Sequence, residues 1–534
     1  MPGTRSKPLA KPEWKRHNSN AKNTMTMKCF IRLFLAFGMC LPLSASRTQP
    51  KPNVLLISLD DLNDWIEPLG GHPQAQTPNM AAFAEEAVTF SRAYCASPSC
   101  NPSRTAIMTG KAPYVTGVYT NPQIWRHILP NEITLPEHFQ KAGYWTGGAG
   151  KIYHNNMPDP RSWNDYYPAL IQHFPYYYLP DIDAATGKTI FRKQDNEIRE
   201  DDPKGLTVTM PNFKGMYIAF DWAPLPYATE ETGDYESAHW IIEQLGKKHD
   251  KPFFLACGIY RPHLPLYVPQ KYFDRFPLDE VRLPDCIIED LDDVPAAGRK
   301  LARRRYHHNV TQAGQWRRAV QGYLAAINYA DDLTGLVLDA LADSAYADNT
   351  VVVIYSDHGW QLGEKQHWQK FALWENVIKS VLMIKTPEGM LGTSAEKAKG
   401  TVSMRNVSLM DIYPTLTELC GLPEKQGLSG RSLIPLLKNP NEKEWSHAIV
   451  SVEGWEHYSI RKDDWHYIEY GDGTAELYNL SEDPEEWRNL AGSPQYTKVI
   501  EALRRHIPQQ RKEYTKTKPI RWKDVLSGKT QFYK

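Results

Sequence analysis

The 534-residue sequence predicts an α/β protein, a doubly wound parallel sheet followed by a smaller C-terminal subdomain of antiparallel strands and one helix. Three observations carry this. Near-continuous apolar runs, the pattern of strands buried on both faces, recur between residues 53 and 355 and end in polar residues. Segments with apolar residues three and four apart lie between those runs. From about Trp445 the pattern changes to short alternating strands. The length, several times a ~100–200-residue domain, excludes a small binding module. The 16 Trp, 29 Tyr and 16 Phe exclude a solvated, disordered chain, and 62 Lys+Arg against 62 Asp+Glu argue against whole-chain binding to nucleic acid.

Taken in order, residues 1–46 read as an extension plus a secretory leader. Lys28 and Arg32 border the apolar run Phe30–Leu41, and the small residues Ser44-Ala45-Ser46 follow. That run is too short for a span of ~20 residues, so export without a membrane span is expected. Residues 47–444 form the main domain. Its first strand, Asn53–Leu59, ends in Asp60-Asp61. A helical pattern covers 78–87, and Pro102 suits the first turn of another helix, which puts Cys100 where helix N–H groups point outward. Tyr144–Gly147 runs into Gly150-Lys151 and His154. Residues 163–240 hold 15 aromatic residues among 78, an insertion expected to bury most of its rings in a small core and to leave a few for sugar faces. Helical patterns cover 235–247 and 319–342. The strand Pro252–Ile259 leads to Arg261-Pro262-His263, and Thr350–Tyr355 leads to Ser356-Asp357-His358-Gly359. Residues 445–534 form the C-terminal subdomain, with strands near 447–452, 457–461, 465–470 and 476–480 and a helix over 496–506.

Ligands of doubly wound sheets bind outside the carboxyl ends of the strands. Four such ends carry Asp60/Asp61, Lys151/His154, His263 and Asp357/His358, which together make a site. Three acids on one edge suit a hard divalent cation held through oxygen, although His358 taken alone favours a softer metal. Cys100 reads locally as a buried thiol, a disulfide partner of Cys95 or a reactive group. Beyond the leader, five cysteines remain, and an odd number leaves at least one unpaired. The basic run Arg299–Arg318 is expected to be a solvated helix or loop answering Asp290, Asp292 and Asp293.

The stretch Cys100-x-Pro102-Ser103-Arg104 with Thr109-Gly110, and Gly143-Tyr144-x-Thr146-x-x-Ala149-Gly150-Lys151-x-Tyr153-His154, resemble the two signatures of the type I, formylglycine-dependent sulfatases of the alkaline phosphatase-like superfamily. Asn101 stands where that family usually has a small residue. Glu476–Leu480 through Asp483-Pro484-x-Glu486 to Asn489-Leu490 looks like the family's C-terminal motif. Within the family, Tyr260–Pro265 and Asp357-His358-Gly359-Trp360-x-Leu362-Gly363-Glu364, with Trp368 and Lys370, look most like the iduronate-2-sulfatase branch.

The resemblance implies an alkaline phosphatase-like mixed sheet and a sulfuric ester hydrolase acting on a sulfated saccharide. It implies that a maturase converts Cys100 to formylglycine, and that Asp60, Asp61, Asp357, His358 and the modified Cys100 bind one Ca²⁺. Arg104 and Lys151 would neutralise the nucleophile and sulfate oxygens, His263 and Lys370 would serve the leaving oxygen, and His154 would act as base in the second step. A formylglycine-dependent phosphonate or phosphate ester hydrolase of the same superfamily is the alternative.

Overall fold

Every residue of the strand Asn53–Leu59 is buried, and its side chains alternate between two cores. Val54 and Leu56 belong to one, and Leu55, Ile57 and Leu59 to the other. The strand is therefore covered on both faces, as its unbroken apolar run requires. The computed structural model describes residues 51–154, 159–167, 220–226 and 228–517, together with the backbone of three short strands, Tyr178–Ile182, Thr189–Lys193 and Ile198–Arg199. The leader at 1–46 and much of the insertion lie outside the described residues.

Around this strand is an eight-stranded sheet in the order Thr401–Ser403, Val88–Phe90, Leu382–Lys385, Thr350–Ser356, Asn53–Leu59, Phe253–Ile259, Trp145–Gly150, Asp165–Tyr167. All neighbours are parallel except that Leu382–Lys385 runs against both of its own, so the sheet is mixed. Register then levels the carboxyl ends. Leu59 pairs with both Ile259 and Ser356, and Gly258 with Gly150. Asp60, Tyr260, Asp357 and Lys151 consequently leave the sheet side by side. Glycine is required at this edge: a Cβ on Gly150 would lie 2.0 Å from the Gly258 carbonyl oxygen, and Gly150 has φ +72°.

The long helix Trp316–Ala342 and the helix Gly233–Leu245 pack on one face, within the core of Leu55 and Ile57. Both start within three residues of expectation, whereas the first helix is shorter, Pro78–Ala84. The described rings of the insertion do not form a core of their own. Trp163 joins the core of Phe254, and Trp222 is fully buried and stacked on Trp368. The last two strands on one side of the sheet, Val88–Phe90 and Thr401–Ser403, have no counterpart in the sequence pattern, because three residues are too few to show a period.

The C-terminal sheet is a meander of Ile449–Glu453, His457–Lys462, Trp465–Glu469 and Ala475–Asn479, followed by the helix Thr497–Arg504. It docks on the segment that leads to Cys100. The Val452 amide donates to the Ala96 carbonyl (3.0 Å) and the Ser451 hydroxyl to the Cys95 carbonyl (2.5 Å). Arg461 bonds to the Tyr94 hydroxyl and pairs with Glu375, all of them buried. No helix among the described residues is long and apolar enough to cross a membrane.

Candidate active site

Cys100 is the first residue of the helix Cys100–Thr109, every residue of which is buried. Pro102 falls in its first turn, where a missing N–H costs nothing. The Ser103 hydroxyl donates to the Asp357 carbonyl (2.6 Å), fixing this helix to the end of the neighbouring strand. Asn101 is accommodated because its side-chain amide donates to the carbonyls of Thr120 (2.9 Å) and Gln123 (2.7 Å). The cysteines in the described residues are all free, which removes the Cys95–Cys100 disulfide.

Successive side chains of a strand point to opposite faces, yet Asp60 and Asp61 serve one site. Asp61 makes this possible by adopting φ +62°, which ends the alternation, and the Tyr323 hydroxyl of the long helix holds its carbonyl at 2.7 Å. Around Cys100 the structure gathers every residue expected at the site. The thiol faces Asp60 Oδ1 at 3.5 Å; Lys370 Nζ lies 2.8 Å from Sγ and 2.6 Å from Asp61 Oδ1. Lys151 pairs with Asp60, stands 3.8 Å from Sγ and rests 4.5 Å above the Tyr260 ring. His263 Nε2 is 3.8 Å from Asp61 Oδ2, its Nδ1 facing the Leu264 carbonyl at 2.6 Å. His154 is half-buried with its Nδ1 unpartnered.

The acids and His358 fit a cation. Burial pushes His358 down to about 4, so the ring is neutral at pH 7. Its Nδ1 faces the Gly359 carbonyl at 3.0 Å, which assigns the proton there and leaves a lone pair on Nε2. That lone pair looks at Asp61 Oδ1 (3.4 Å) and Asp357 Oδ2 (3.5 Å), acceptors all. Both His358 Nε2 and Asp61 Oδ2 are buried without a hydrogen-bond partner. Burial also pushes the Asp61 carboxyl up to about 7, with Lys370 opposing and Asp60 and Asp357 adding to the rise. Burial raises Asp60 as well, but Lys151, His263, Arg104 and Lys370 outweigh it and hold the group well below the usual range. A divalent cation among these oxygens and Nε2 would satisfy every orphan at once.

Arg104 lies at the same edge and interacts electrostatically with Cys100. It is fully buried, and its N–H groups are turned to the chain itself: Asp357 Oδ2 (2.8 Å), Ser58 Oγ (3.1 Å), and the carbonyls of Lys151 (2.5 Å), Ile152 (3.2 Å) and Leu59 (3.4 Å), with Asp60 Oδ1 at 3.2 Å. It ties three strand ends together and holds two of the acids. Lys151 and Lys370 are the cations beside Sγ. The basic run differs from expectation. Asp290 pairs with Lys365 and Asp293 accepts from the Asn489 amide, while Arg303 folds inward on Gln369 and Phe371.

The segment carrying Lys370 is strained. Lys365, Gln366, Gln369 and Phe371 all have φ between +49° and +77°, unusual for residues with side chains. Periodicity gives no sign of such a loop. Tyr260, beneath Lys151, has no role in the sequence pattern beyond its place directly after a predicted strand.

A family profile described as "Sulfatase" matches residues 52–422, and one described as "N-sulphoglucosamine sulphohydrolase, C-terminal" matches residues 363–513. A "Sulfatase" of Formosa agariphila is 35% identical over 495 residues, covering 90% of this chain and 92% of its own. The iduronate 2-sulfatase of Mus musculus is 28% identical over 405 residues, 70% of this chain and 69% of its own. Among solved structures, the phosphonate monoester hydrolase of Silicibacter pomeroyi superposes with a TM-score of 0.67 at 20% identity, covering 86% of this chain and 94% of that one.

Proposed function

The chain belongs to the sulfatase family and is a hydrolase of sulfate esters, and from that premise we propose that its substrate is a sulfated carbohydrate, cleaved by a formylglycine made from Cys100 with one Ca²⁺ beside it. The observation that carries this reading is the setting of Cys100. Within a C-x-P-S-R helix start, its Sγ faces Asp60 at 3.5 Å and Lys370 at 2.8 Å, next to acceptors that lack a partner. An ordinary core cysteine has neutral, apolar neighbours.

A hydrated formylglycine at position 100 supplies two hydroxyls on one carbon: one attacks sulfur as the alcohol departs, and the other later expels sulfate, restoring the aldehyde. Ca²⁺, when bound, supplies positive charge that makes the attacking hydroxyl more acidic and draws the sulfate oxygens. Asp60, Asp61, Asp357 and His358 would hold it. Lys370 and Lys151, at 2.8 and 3.8 Å from Sγ, steady negative charge on residue 100 and on the sulfate oxygens nearest it. His263 keeps the proton of its neutral ring on Nδ1, against the Leu264 carbonyl, so Nε2 presents a lone pair that takes up the proton released by the attacking hydroxyl and passes it to the leaving oxygen. His154, with Nδ1 unpartnered, takes the proton of the second hydroxyl.

Two further points belong to this reading. The leader-like segment within 28–46 supports export, with a maturase acting on Cys100. The iduronate-2-sulfatase-like stretch around Trp360 and Lys370 supports a uronate 2-sulfate as the first substrate to try. Specificity resides in the loops around the sulfate, so release of sulfate from 2-O-sulfated uronides should exceed that from 6-O-sulfated hexosamines. The reverse order would discard the uronate and keep the chemistry.

The likeness in fold to a phosphonate monoester hydrolase motivates one rival reading, an ester hydrolase for phosphorus. Protein produced with a competent maturase should show the aldehyde or its hydrate at position 100 by peptide mass spectrometry. The same preparation should turn over 4-nitrophenyl sulfate with a higher kcat/KM than 4-nitrophenyl phosphate or a phenylphosphonate ester. Activity with an unmodified thiol would remove the formylglycine, and a preference for phosphorus esters would favour the rival.

A further inference from the structure

Two separate segments meet beside Lys370, and a third, carrying Glu453, lies within electrostatic reach of Arg303. Gln369 and Phe371 flank it in the strained loop, both with positive φ. Arg303, just ahead of the helix Arg304–Gln312, lays its guanidinium 4.6 Å from the Phe371 ring centre and donates to Gln369 Oε1 at 2.8 Å. Its backbone amide is fixed at 3.1 Å on His367 Nδ1. Glu453 ends the first strand of the C-terminal sheet, whose preceding residues are bonded to Cys95 and Ala96. The Phe371 amide donates to the Pro98 carbonyl at 3.1 Å, drawing the loop to the same 95–100 segment. Lys370 Nζ is 2.8 Å from Cys100 Sγ and 5.9 Å from the Phe371 ring centre, so this group borders the reacting centre without belonging to it.

Two polar atoms here are buried with no hydrogen-bond partner: Glu453 Oε2, an acceptor, and Gln369 Nε2, a donor. Gln369 is itself only 4% exposed. Such atoms are costly to leave unpaired, and they cluster where a ligand supplies the missing bond. A donor, an acceptor, a guanidinium and an aromatic ring suit one kind of group. A sugar hydroxyl both gives and takes a hydrogen bond, and the ring carbons can lie on Phe371. A second sulfate or a carboxylate would meet Arg303 and Gln369 well but would face the Glu453 carboxyl. Burial pushes that carboxyl up to about 8 against the pull of Arg303, so it changes state near neutrality. A hydroxyl pairs with either form, an anion only with the protonated one.

We propose that Arg303, Gln369 and Glu453 form a subsite that binds hydroxyl groups of the saccharide next to the scissile sulfate, and so set specificity for sugars over simple sulfate esters. The inference rests on the sulfated-carbohydrate reading above.

The test compares wild type, Glu453→Gln and Arg303→Lys on 4-nitrophenyl sulfate and on two disaccharides, one with a 2-O-sulfated uronate and one with a 6-O-sulfated glucosamine. Glu453→Gln preserves shape and Arg303→Lys preserves charge, so neither variant need disturb folding; urea midpoints check this. On whichever disaccharide the wild type cleaves faster, both variants should lose at least tenfold more kcat/KM than on the aryl sulfate, chiefly through KM. The exposed Glu456→Gln, on the same hairpin, should leave both rates as they were. Equal losses on sugar and aryl ester would overturn the proposal, as would no loss. A gain on the disaccharide with Glu453→Gln would replace hydroxyls by a second anion. Wild type active on 4-nitrophenyl sulfate but on neither disaccharide would defeat the carbohydrate reading itself, and this subsite with it.

Discussion

Cys100→Ala is expected to lower turnover of 4-nitrophenyl sulfate by about 10⁴-fold or more, the scale seen when an activated nucleophile is removed. The fold should survive. The residue is fully buried in a helix, alanine is the strongest helix former, and the volume lost is one sulfur atom. Lys370 keeps Asp61 as its partner at 2.6 Å and Lys151 keeps Asp60, so no buried charge is stranded. Urea midpoints of variant and wild type should therefore coincide while the rates differ. Cys95→Ala is the control. Cys95 is equally buried but sits in the apolar core with Tyr94 and Val407, and its loss should cost some stability without abolishing turnover. Retention of more than a few per cent of the rate in Cys100→Ala would end the assignment of residue 100 as nucleophile.

The site was legible because parallel strands announce themselves twice, by an unbroken apolar run and by the polar residue that ends it. Asp60 and Asp357 follow such runs, and pairing of Leu59 with Ser356 turns two distant runs into neighbours. Lys370 was legible only through family resemblance. It stands on a loop of left-handed residues with no period, and nothing local says that its ammonium reaches Sγ. Arg303 was misread for a related reason. Charge density marked residues 299–318 as a solvated surface, and most of the basic side chains in the run are exposed, but one guanidinium turns inward over Phe371. Glu453 comes from the C-terminal sheet, some 350 positions after the 95–100 segment on which that sheet docks. Contacts of that separation depend on how the sheet docks on Cys95 and Ala96, which no local pattern encodes.

Arg104 joins three strand ends as well as two of the acids beside Cys100. Replacing Arg104 by Met should destabilise the protein by about 3–5 kcal/mol, the cost of removing one partner from a buried ion pair. Asp357 and Asp60 would lose their shared cation, and the carbonyls of Lys151 and Ile152 would lose the Arg104 N–H, as would that of Leu59, which keeps the Asp357 amide, all without exposure to water. Arg104→Lys should fall between wild type and Arg104→Met. An ammonium restores the charge, but it cannot reach two carboxylates and three carbonyls from one planar fork. Urea denaturation in EDTA and in excess Ca²⁺ separates the two parts of the loss. A cation among Asp60, Asp61 and Asp357 would relieve their mutual repulsion, so the deficit of Arg104→Met should shrink when Ca²⁺ is present. A deficit of the full size in both conditions would mean that the stranded carbonyls dominate and that the acids gain nothing from Ca²⁺. A midpoint unchanged in either would mean that Arg104 does not hold the strand ends, and that its guanidinium is free to act on sulfate after all.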